Sequence, residues 1–202
     1  GGLRSSRIGP FASRTELYLC QHDAGIHNGR IFDIFFHSLP ASNQQLKRMW
    51  DRKLNVWQFS RVVDRVSRAL PGASVHAMPT PPLRDTKGYL AKYPPHLGFT
   101  LEEESRGQSE LLQIGVSPGT QFVCFLARDS AYLNTTYPQG EWGYHDYRDS
   151  NINDYLPAME KLEGCGYFVL RMGAVVSKPL HARNPRVIDY ASDYRSDFMD
   201  IY

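Results

Sequence analysis

Blocks of apolar residues change between helical and extended spacing along the chain, and they predict helices and strands in turn. The segment "TELYLC" predicts a helix after a glycine-rich turn, "GGLRSSRIG", with no strand before that turn. Residues 31–37, "IFDIFFH", predict a short buried strand because β-branched and aromatic side chains dominate them. Residues 43–54 predict a second helix, "NVWQF" a brief strand and residues 60–70 a third helix. One face of the third helix is apolar and carries Val62, Val63, Val66 and Leu70.

Prolines cluster between Pro71 and Pro95, with "MPTPPLRD" at the centre of the segment. Proline lacks a backbone N–H and restricts φ, so this segment cannot form a regular helix or a central strand. We therefore predict a long, mostly irregular surface loop over about 71–95, outside the sheet of the first domain.

A second unit begins near residue 100. Thr100 and Glu103 have the spacing of a capping box, which predicts a helix that runs to about Leu112. The segment "SPGTQ" then predicts a turn. Six consecutive apolar residues from Phe122 to Ala127 predict a fully buried strand after the turn.

The segment "NDYLPAMEKLEGCGYFVLRMG" carries the clearest pattern and predicts a helix followed by a strand. Asn153 can cap the helix, Pro157 suits its first turn, and Gly164 or Gly166 ends it. Residues 186–191, "RVIDYA", predict another strand, and a further helix starts in "RSDFMDIY". Strands that alternate with helices in this way predict an α/β fold with a parallel sheet.

Composition and charge narrow the classes of function. The chain has 23 basic and 21 acidic residues, and this balance disfavours a nucleic-acid partner. Its three cysteines show no CxxC spacing and its histidines show no ligand spacing, so we expect a reducing cytoplasm, no disulfide framework and no metal site. No apolar run approaches the roughly 20 residues of a transmembrane helix, so the sequence predicts a soluble protein.

Charged residues follow two of the predicted strands directly. Arg128 and Asp129 follow the first strand of the second unit, and Arg171 ends the next strand, close to Gly173. Ligands of open parallel sheets bind beyond the carboxyl ends of the strands, and the guanidinium group offers a fork of donors to phosphate oxygens. The two arginines therefore predict a site for a phosphate or diphosphate. The alternative is an ordinary surface ion pair that closes a turn.

Two further groups of residues have both a functional and an ordinary interpretation. His145, Arg148 and Asp149 lie in an aromatic stretch, "EWGYHDYRDSN", which suits a sugar or a base but is also compatible with a solvated loop. His22 and Asp23 are candidates for a general base, although capping the C-terminus of a helix is the more common role for such a pair.

Five segments spread over the chain resemble, in order and spacing, a family of mostly uncharacterised bacterial glycosyltransferases. They are "SSRIGPFASRTELYLCQHDAG", "NQQLKRMWDR", "CFLARDSAYLN", "HDYRDSNINDYLPAMEKLEGCGYFVLRMG" and "VIDYASDYRSDFMDIY". The resemblance implies a GT-B architecture of two Rossmann-like domains. Residues 1–99 would form the acceptor-side domain, and residues 100–202 would begin the domain that binds the nucleotide-sugar.

The resemblance also assigns residues to sites. Arg7 and Gly9 belong to the glycine-rich turn of the acceptor side, where relatives carry a histidine at the position of Pro10. Relatives continue beyond "DIY" with another strand and a glycine-rich loop, which implies that this chain is a fragment with a truncated second domain and no first strand, inactive alone. The implied donor site is formed by Arg128, Asp129, Arg148, Asp149, Arg171, Gly173, Arg195, Ser196 and Asp197.

The resulting expectation is an enzyme that transfers a sugar from a nucleotide-sugar to a glycan or lipid-linked acceptor of the cell envelope. It would need no cofactor and no metal, and it would work in the cytoplasm, with peripheral association at the inner face of the membrane. Fixed positive charge would stabilise the departing diphosphate. His22, Asp23 and Asp129 are alternative general bases, and the stereochemistry stays open. The other candidates are a transferase with a pyruvyl or phosphoryl donor and a non-catalytic sugar- or nucleotide-binding protein.

Overall fold

The structure is a computed structural model, and it describes residues 1–26, 32–72 and 84–202. Over these residues the protein is a mixed α/β structure with eight α-helices and two small parallel sheets, which confirms the predicted α/β class. The chain divides into two compact units, Gly1–Phe99 and Thr100–Tyr202. The division falls where the sequence predicts a domain boundary, and the functional assignment of the two units stays a prediction.

Unit 1 begins with a strand, a helix and a second strand. Strand β1 (Gly2–Leu3) pairs in parallel with β2 (Phe36–His37), and helix α1 (Ile8–Asp23) connects them. The prediction that no strand precedes the glycine-rich turn is therefore wrong. Gly2 lies close to the ring of Phe36, where an added Cβ would come within 3.1 Å of it. The strand predicted over 31–37 is shorter than expected in its described part.

Two further helices follow β2 in unit 1. Helix α2 (Gln44–Asp51) begins after Asn43, whose side chain accepts a hydrogen bond from the Leu46 N–H at 2.8 Å. Between α2 and helix α3 (Ser60–Arg68), Val56 of the predicted brief strand forms a single bridge with Phe35. The apolar residues predicted on one face of α3 are exposed: Val62, Val63, Val66 and Leu70.

The proline-rich segment falls partly outside the described residues. Residues 73–83 are not among them, and the prediction of irregular structure there has no outcome. From residue 84 to residue 95 the structure contains the short helix α4 (Tyr89–Lys92) and no strand. In that part the segment agrees with the prediction that it lies outside the sheet.

Unit 2 opens with helix α5 (Leu101–Gln113), which starts with the predicted capping box. The Thr100 hydroxyl accepts a hydrogen bond from the Glu103 N–H at 3.2 Å, and the Glu103 carboxylate accepts one from the Thr100 N–H at 2.9 Å. Both bonds satisfy N–H groups that a helix end leaves without partners. This part of the sequence prediction is confirmed.

Removing the cap is expected to destabilise unit 2. We expect Thr100→Ala to lower the free energy of unfolding by about 1 kcal/mol, because the Glu103 N–H loses its acceptor. Urea unfolding followed by circular dichroism measures the change. Thr86→Ala is the control, because Thr86 is exposed and does not begin a helix. Equal stability of the two variants would contradict a stabilising role for the cap.

Three parallel strands form the sheet of unit 2. They are β3 (Phe122–Leu126), β4 (Phe168–Met172) and β5 (Val187–Ile188), with β4 in the middle. Neighbouring residues of β4 point to opposite faces, and each face carries its own apolar cluster. Val169 packs on one side with Ile152, Met159, Leu180 and Val187, and Leu170 packs on the other with Val116, Ile188 and Tyr190.

Two predictions for unit 2 need correction. Strand β3 is not fully buried, because Phe122 is 42% exposed and Leu126 is 76% exposed. Within the described residues β3 is an edge strand, and its alternate side chains face outward. The last residues also differ from the predicted helix: helix α8 is the short segment Tyr190–Asp193, and "RSDFMDIY" forms turns.

The remaining helices of unit 2 connect the strands. Helix α6 (Ala131–Thr136) follows β3, and helix α7 (Leu156–Gly164) precedes β4. Pro157 lies in the first turn of α7, as predicted, whereas Asn153 lies in a 3-10 turn ahead of the helix. Across both units, none of the helices in the described ranges combines the length and apolar character that crossing a bilayer requires.

Candidate functional site

A cavity of about 260 Å³ lies in unit 2, where residues that follow β3 meet the end of β4 and the loop after it. Ala127 and Asp129 follow β3, Arg171 belongs to β4, and Ser177 lies in the loop that follows β4. The strands are parallel, so their carboxyl ends meet at one edge of the sheet. The sequence predicts a site at this edge, and the structure contains a cavity there.

Asp129 links two loops at the cavity through hydrogen bonds. Its Oδ1 accepts a hydrogen bond from the Ala131 N–H at 2.9 Å, and its Oδ2 accepts bonds from the N–H and the hydroxyl of Ser177 at 2.9 and 3.1 Å. Both carboxylate oxygens are engaged in joining the segment after β3 to the segment after β4. This arrangement favours a positioning role for Asp129 over the predicted role of general base.

Arg171 is buried, with 1% of its surface exposed, and two of its three guanidinium nitrogens donate hydrogen bonds to protein groups. Its Nη1 donates to Asp189 Oδ1 at 2.8 Å, and its Nη2 donates to the Lys178 carbonyl at 3.0 Å. Only Nε has no partner among the described residues. Both terminal nitrogens of Arg171 thus bind protein groups, and this argues against the predicted role of Arg171 in binding a phosphate.

Asp189 is the counter-charge that holds Arg171. Burial by itself would raise the pKa of Asp189, but hydrogen bonds from the Leu180 N–H, Ser192 and Arg171 outweigh it and lower that pKa. The carboxylate thus stays ionised beside the guanidinium group. The sequence analysis missed Asp189, although its position directly after β5 was the available signal.

Arg128 and Asp149 form a loose pair beside the cavity. Arg128 Nε lies 3.8 Å from Asp149 Oδ1, and the Arg128 side chain is 34% exposed. Asp149 lines the cavity, and its buried Oδ1 accepts no hydrogen bond from the described residues. The Arg128 carbonyl accepts a bond from the Ser150 N–H at 2.9 Å, which holds this loop against the end of β3. Arg128 follows β3 and Arg171 belongs to the neighbouring strand β4, but of the two only Arg171 lines the cavity, so the described residues do not bring both arginines to it as predicted.

Gly173 shapes the segment that leads from β4 to Ser177 and Lys178. A Cβ added at Gly173 would lie 2.6 Å from Val176 Cγ1, closer than side chains tolerate. Gly173, which the resemblance places in the donor site, is thus needed for the packing of its own loop. We find a packing reason for glycine at this position.

Replacing Gly173 is expected to disturb the cavity. Gly173→Ala should cost about 1–3 kcal/mol of stability, because Val176 must move and overpacking is destabilising. Urea unfolding measures the cost. Gly164→Ala is the matched control, since a Cβ there meets no atom within 4 Å and alanine favours the helix in which Gly164 lies. An unchanged midpoint for Gly173→Ala would contradict the close packing.

The aromatic residues that precede Asp149 in the sequence pack against one another. Trp142 stacks on His145 with ring centroids 6.3 Å apart, and Trp142 Nε1 donates to the Tyr137 carbonyl at 2.9 Å. Arg148 is exposed, and it contacts His145 Nδ1 at 3.1 Å and the Tyr147 hydroxyl at 3.0 Å. Arg148 thus belongs to an aromatic cluster on the surface, and only its neighbour Asp149 lines the cavity.

The predicted group at 195–197 forms a network of its own. Arg195 is paired with Asp197 and with Asp200, which lies 2.8 Å from its Nη2. Burial would lower the pKa of Arg195, but the two carboxylates outweigh it and raise that pKa. Ser196 accepts a bond from the Met199 N–H at 3.1 Å, which closes a turn. These contacts favour a structural role over phosphate binding.

The remaining predicted residues lie in unit 1. Arg7 directly precedes α1, Gly9 lies in its first turn beside Pro10, and both Arg7 and Gly9 are exposed. His22 is exposed in the last turn of α1. Asp23 contacts His96 Nε2 at 3.0 Å. Because these residues belong to unit 1, they form no part of the cavity described in unit 2.

Several cavity residues were missed by the sequence analysis, because short polar side chains in loops give no pattern in the sequence. They are Ser130, Ser150, Asn151, Ser177 and Lys178. Comparison with family models, curated proteins and solved structures finds no match for this chain. The resemblance to glycosyltransferases therefore stays a prediction, and function has to be argued from the geometry of the cavity.

Proposed function

We propose that the protein is a glycosyltransferase, and that the cavity of unit 2 binds the sugar-nucleotide donor. The observation that carries this proposal is a pair of buried polar atoms on the cavity residues, Asp149 Oδ1 and Arg171 Nε. Neither has a hydrogen-bond partner in the described ranges. One is an acceptor and the other is a donor. Buried groups of this kind are normally satisfied, by protein, water or ligand.

Both atoms are buried, so a ligand rich in hydroxyl groups would reach them once the side chains of Asp149 and Arg171 shift toward the cavity. A hydroxyl group donates one hydrogen bond and accepts others, so vicinal hydroxyls of a sugar can donate to Asp149 and accept from Arg171. The hydroxyl and amide groups of Ser130, Ser150 and Asn151 add further partners on the same wall. Asp129 and Asp149 place two carboxylates there, which disfavours a bare phosphate.

The size of the cavity restricts which part of the donor it can hold. A volume of about 260 Å³ lies below the range of roughly 300–1,000 Å³ that is usual for drug-sized ligands. The cavity therefore suits one ring of a nucleotide-sugar, and the rest of the donor would lie outside it. Lys178 on the wall and Arg128 beside it supply positive charge for a diphosphate.

The proposed architecture is a pair of Rossmann-like domains. Unit 1 supplies the βαβ segment β1–α1–β2, and unit 2 supplies a parallel sheet with an apolar cluster on each face. We propose unit 1 for the acceptor, a glycan or lipid-linked molecule, and the cytoplasmic side of the membrane as the place of reaction. Both carboxylate oxygens of Asp129 are engaged, so His22 and Asp23 of unit 1 stay the candidates for the general base.

A second candidate is a sugar-binding protein without turnover. It is favoured by the arginines, since Arg171 and Arg195 are already paired with carboxylates of the protein. Few hydrogen-bond donors would then be available to a diphosphate. The hydroxyl, amide and carboxylate groups that line the cavity would still be available to a sugar.

Binding measurements separate the two candidates. We would titrate the chain calorimetrically with nucleotide-sugars of the common bases, with the matching nucleoside diphosphates and with the free monosaccharides. A glycosyltransferase domain is expected to bind a nucleotide-sugar more tightly than either of its parts. Binding of a monosaccharide alone would favour the second candidate. Failure of all three classes to bind would refute both.

A further inference from the structure

A second group of chemically active side chains lies in unit 1, whereas the cavity of the proposed function lies in unit 2. Glu16, Cys20 and Asp23 are spaced along helix α1 so that they share one face. His96 lies against that face, although it is 80 residues from Glu16 in the sequence. The imidazole contacts Glu16 Oε1 through Nδ1 at 2.9 Å, and the Cys20 sulfur lies 3.9 Å from the same carboxylate oxygen.

We propose that Glu16, Cys20 and His96 bind a zinc ion. Their ligand atoms all lie within 4.8 Å of one another. Bonds of about 2.0–2.3 Å in tetrahedral geometry place ligand atoms roughly 3.3–3.8 Å apart, so shifts of a few tenths of an ångström to about one ångström would bring the three atoms into position. Thiolate, imidazole and carboxylate are the ligand types that zinc uses in proteins.

The surroundings of His96 match those of a metal ligand. Its second ring nitrogen, Nε2, lies 3.0 Å from Asp23 Oδ2. Histidines that bind a metal usually donate their other N–H to a carboxylate, which fixes the ring and its tautomer. The His96 backbone N–H also donates to Glu16 Oε1 at 3.0 Å and holds this carboxylate near the imidazole. Asp23 is thus a positioning residue.

The proposed zinc site is partly exposed, so a water molecule can occupy the fourth ligand position. Cys20 has no exposed surface, whereas the side chains of His96 and Glu16 are each 19% exposed. Three protein ligands and a water molecule would complete four-fold coordination. The ion would link the segment around His96 to α1 within unit 1, so its expected effect is to stabilise that unit.

The rival explanation is a network of ion pairs without metal. A protonated His96 between Glu16 and Asp23 accounts for the two short nitrogen–oxygen distances. In that network the Cys20 thiol makes at most a weak hydrogen bond to Glu16 Oε1 at 3.9 Å, whereas in a zinc site it binds the metal as a thiolate. Cys20 therefore decides between the two.

The experiment uses Co²⁺ as a spectroscopic probe, added to the reduced, metal-free chain. We expect a thiolate-to-cobalt charge-transfer band in the near ultraviolet, and its loss on competition with Zn²⁺. Cys20→Ser should abolish the band. Cys165→Ser is the matched control, because Cys165 is an exposed free cysteine, and it should keep the band unchanged.

Two further variants test the proposal even if Cys20→Ser fails to fold. His96→Gln should abolish the band, and the partly exposed position tolerates the change. Asp23→Asn should keep the band and weaken zinc affinity by about 10–100-fold, measured against a chromogenic chelator, as expected for a residue that orients a ligand. No band with the wild-type chain, or a band that survives His96→Gln, would overturn the proposal.

Discussion

Arg171→Met is expected to lower the free energy of unfolding of unit 2 by about 3–5 kcal/mol. Removing one member of a buried ion pair leaves the other charge buried without compensation, and this costs more than the pair contributes. Arg171 is 1% exposed, and Asp189 is 8% exposed. After the substitution Asp189 would lose its guanidinium partner at 2.8 Å, and the Lys178 carbonyl would lose its donor.

The control for this prediction is a second arginine of unit 2. Arg186 lies 3.8 Å from Glu163, and its side chain is 49% exposed, so Arg186→Met should cost less than about 1 kcal/mol. The double substitution Arg171→Met with Asp189→Leu should recover much of the loss, because no unpaired charge remains. Urea unfolding of the whole chain measures all three. A small cost for Arg171→Met would contradict a structural role for the pair.

The same pair predicts a dependence on acid pH. The folded-state pKa of Asp189 is lowered, so its contribution to stability is present above its unfolded pKa of about 3.9 and is lost as the pH falls through the folded value. We expect the wild-type chain to lose stability on acidification below about pH 4. Arg171→Met should show a shallower acid dependence, because the hydrogen bonds that lower this pKa include the one from Arg171.

Asp149→Ala is expected to weaken binding of the donor sugar by about 10–100-fold. A hydrogen bond to a charged group contributes about 1.5–3 kcal/mol, and Asp149 Oδ1 accepts none from the protein in the part that the structure describes. The ligand would therefore lose an acceptor that no neighbour replaces. Calorimetric titration with the nucleotide-sugar that binds the wild-type chain measures the change.

Asp146→Ala is the matched control for this prediction. Asp146 lies three residues earlier, in the exposed 3-10 helix Gly143–Arg148, and it does not line the cavity. Its removal changes the net charge by the same amount and should leave the affinity unchanged. Equal losses for both variants would point to a general effect of charge, and no loss for Asp149→Ala would exclude it from the site.

Local patterns in the sequence predicted much of the fold. The capping box at Thr100, the helix that begins near Pro157 and the strand that ends at Met172 depend on residues a few positions apart. Two of the predictions that were wrong concern contacts with distant segments. Residues Gly2–Leu3 form a strand because they pair with Phe36–His37, which lies more than 30 residues later in the sequence. The exposure of β3 depends on which elements of the fold cover it.

The sequence predicted where the candidate site lies but not which groups its charged side chains contact. Strand-end position identified Asp129 and Arg171, because parallel strands deliver their carboxyl ends to one edge of the sheet. From residue type alone, the sequence analysis predicted that the arginines would be available to bind a phosphate. The structure instead pairs Arg171 with Asp189 and joins Asp129 to Ser177, which leaves Asp149 as the open acceptor.

The sequence by itself determined the α/β class, the helix starts at Thr100 and near Pro157, and the edge of the sheet where the cavity lies, because these follow from short-range spacing and strand direction. Only the tertiary structure decided which atoms each charged side chain contacts. Arg171 meets Asp189 across 18 residues, and His96 meets Glu16 across 80. Such contacts depend on how distant segments pack, and no spacing within a helix or a strand encodes them.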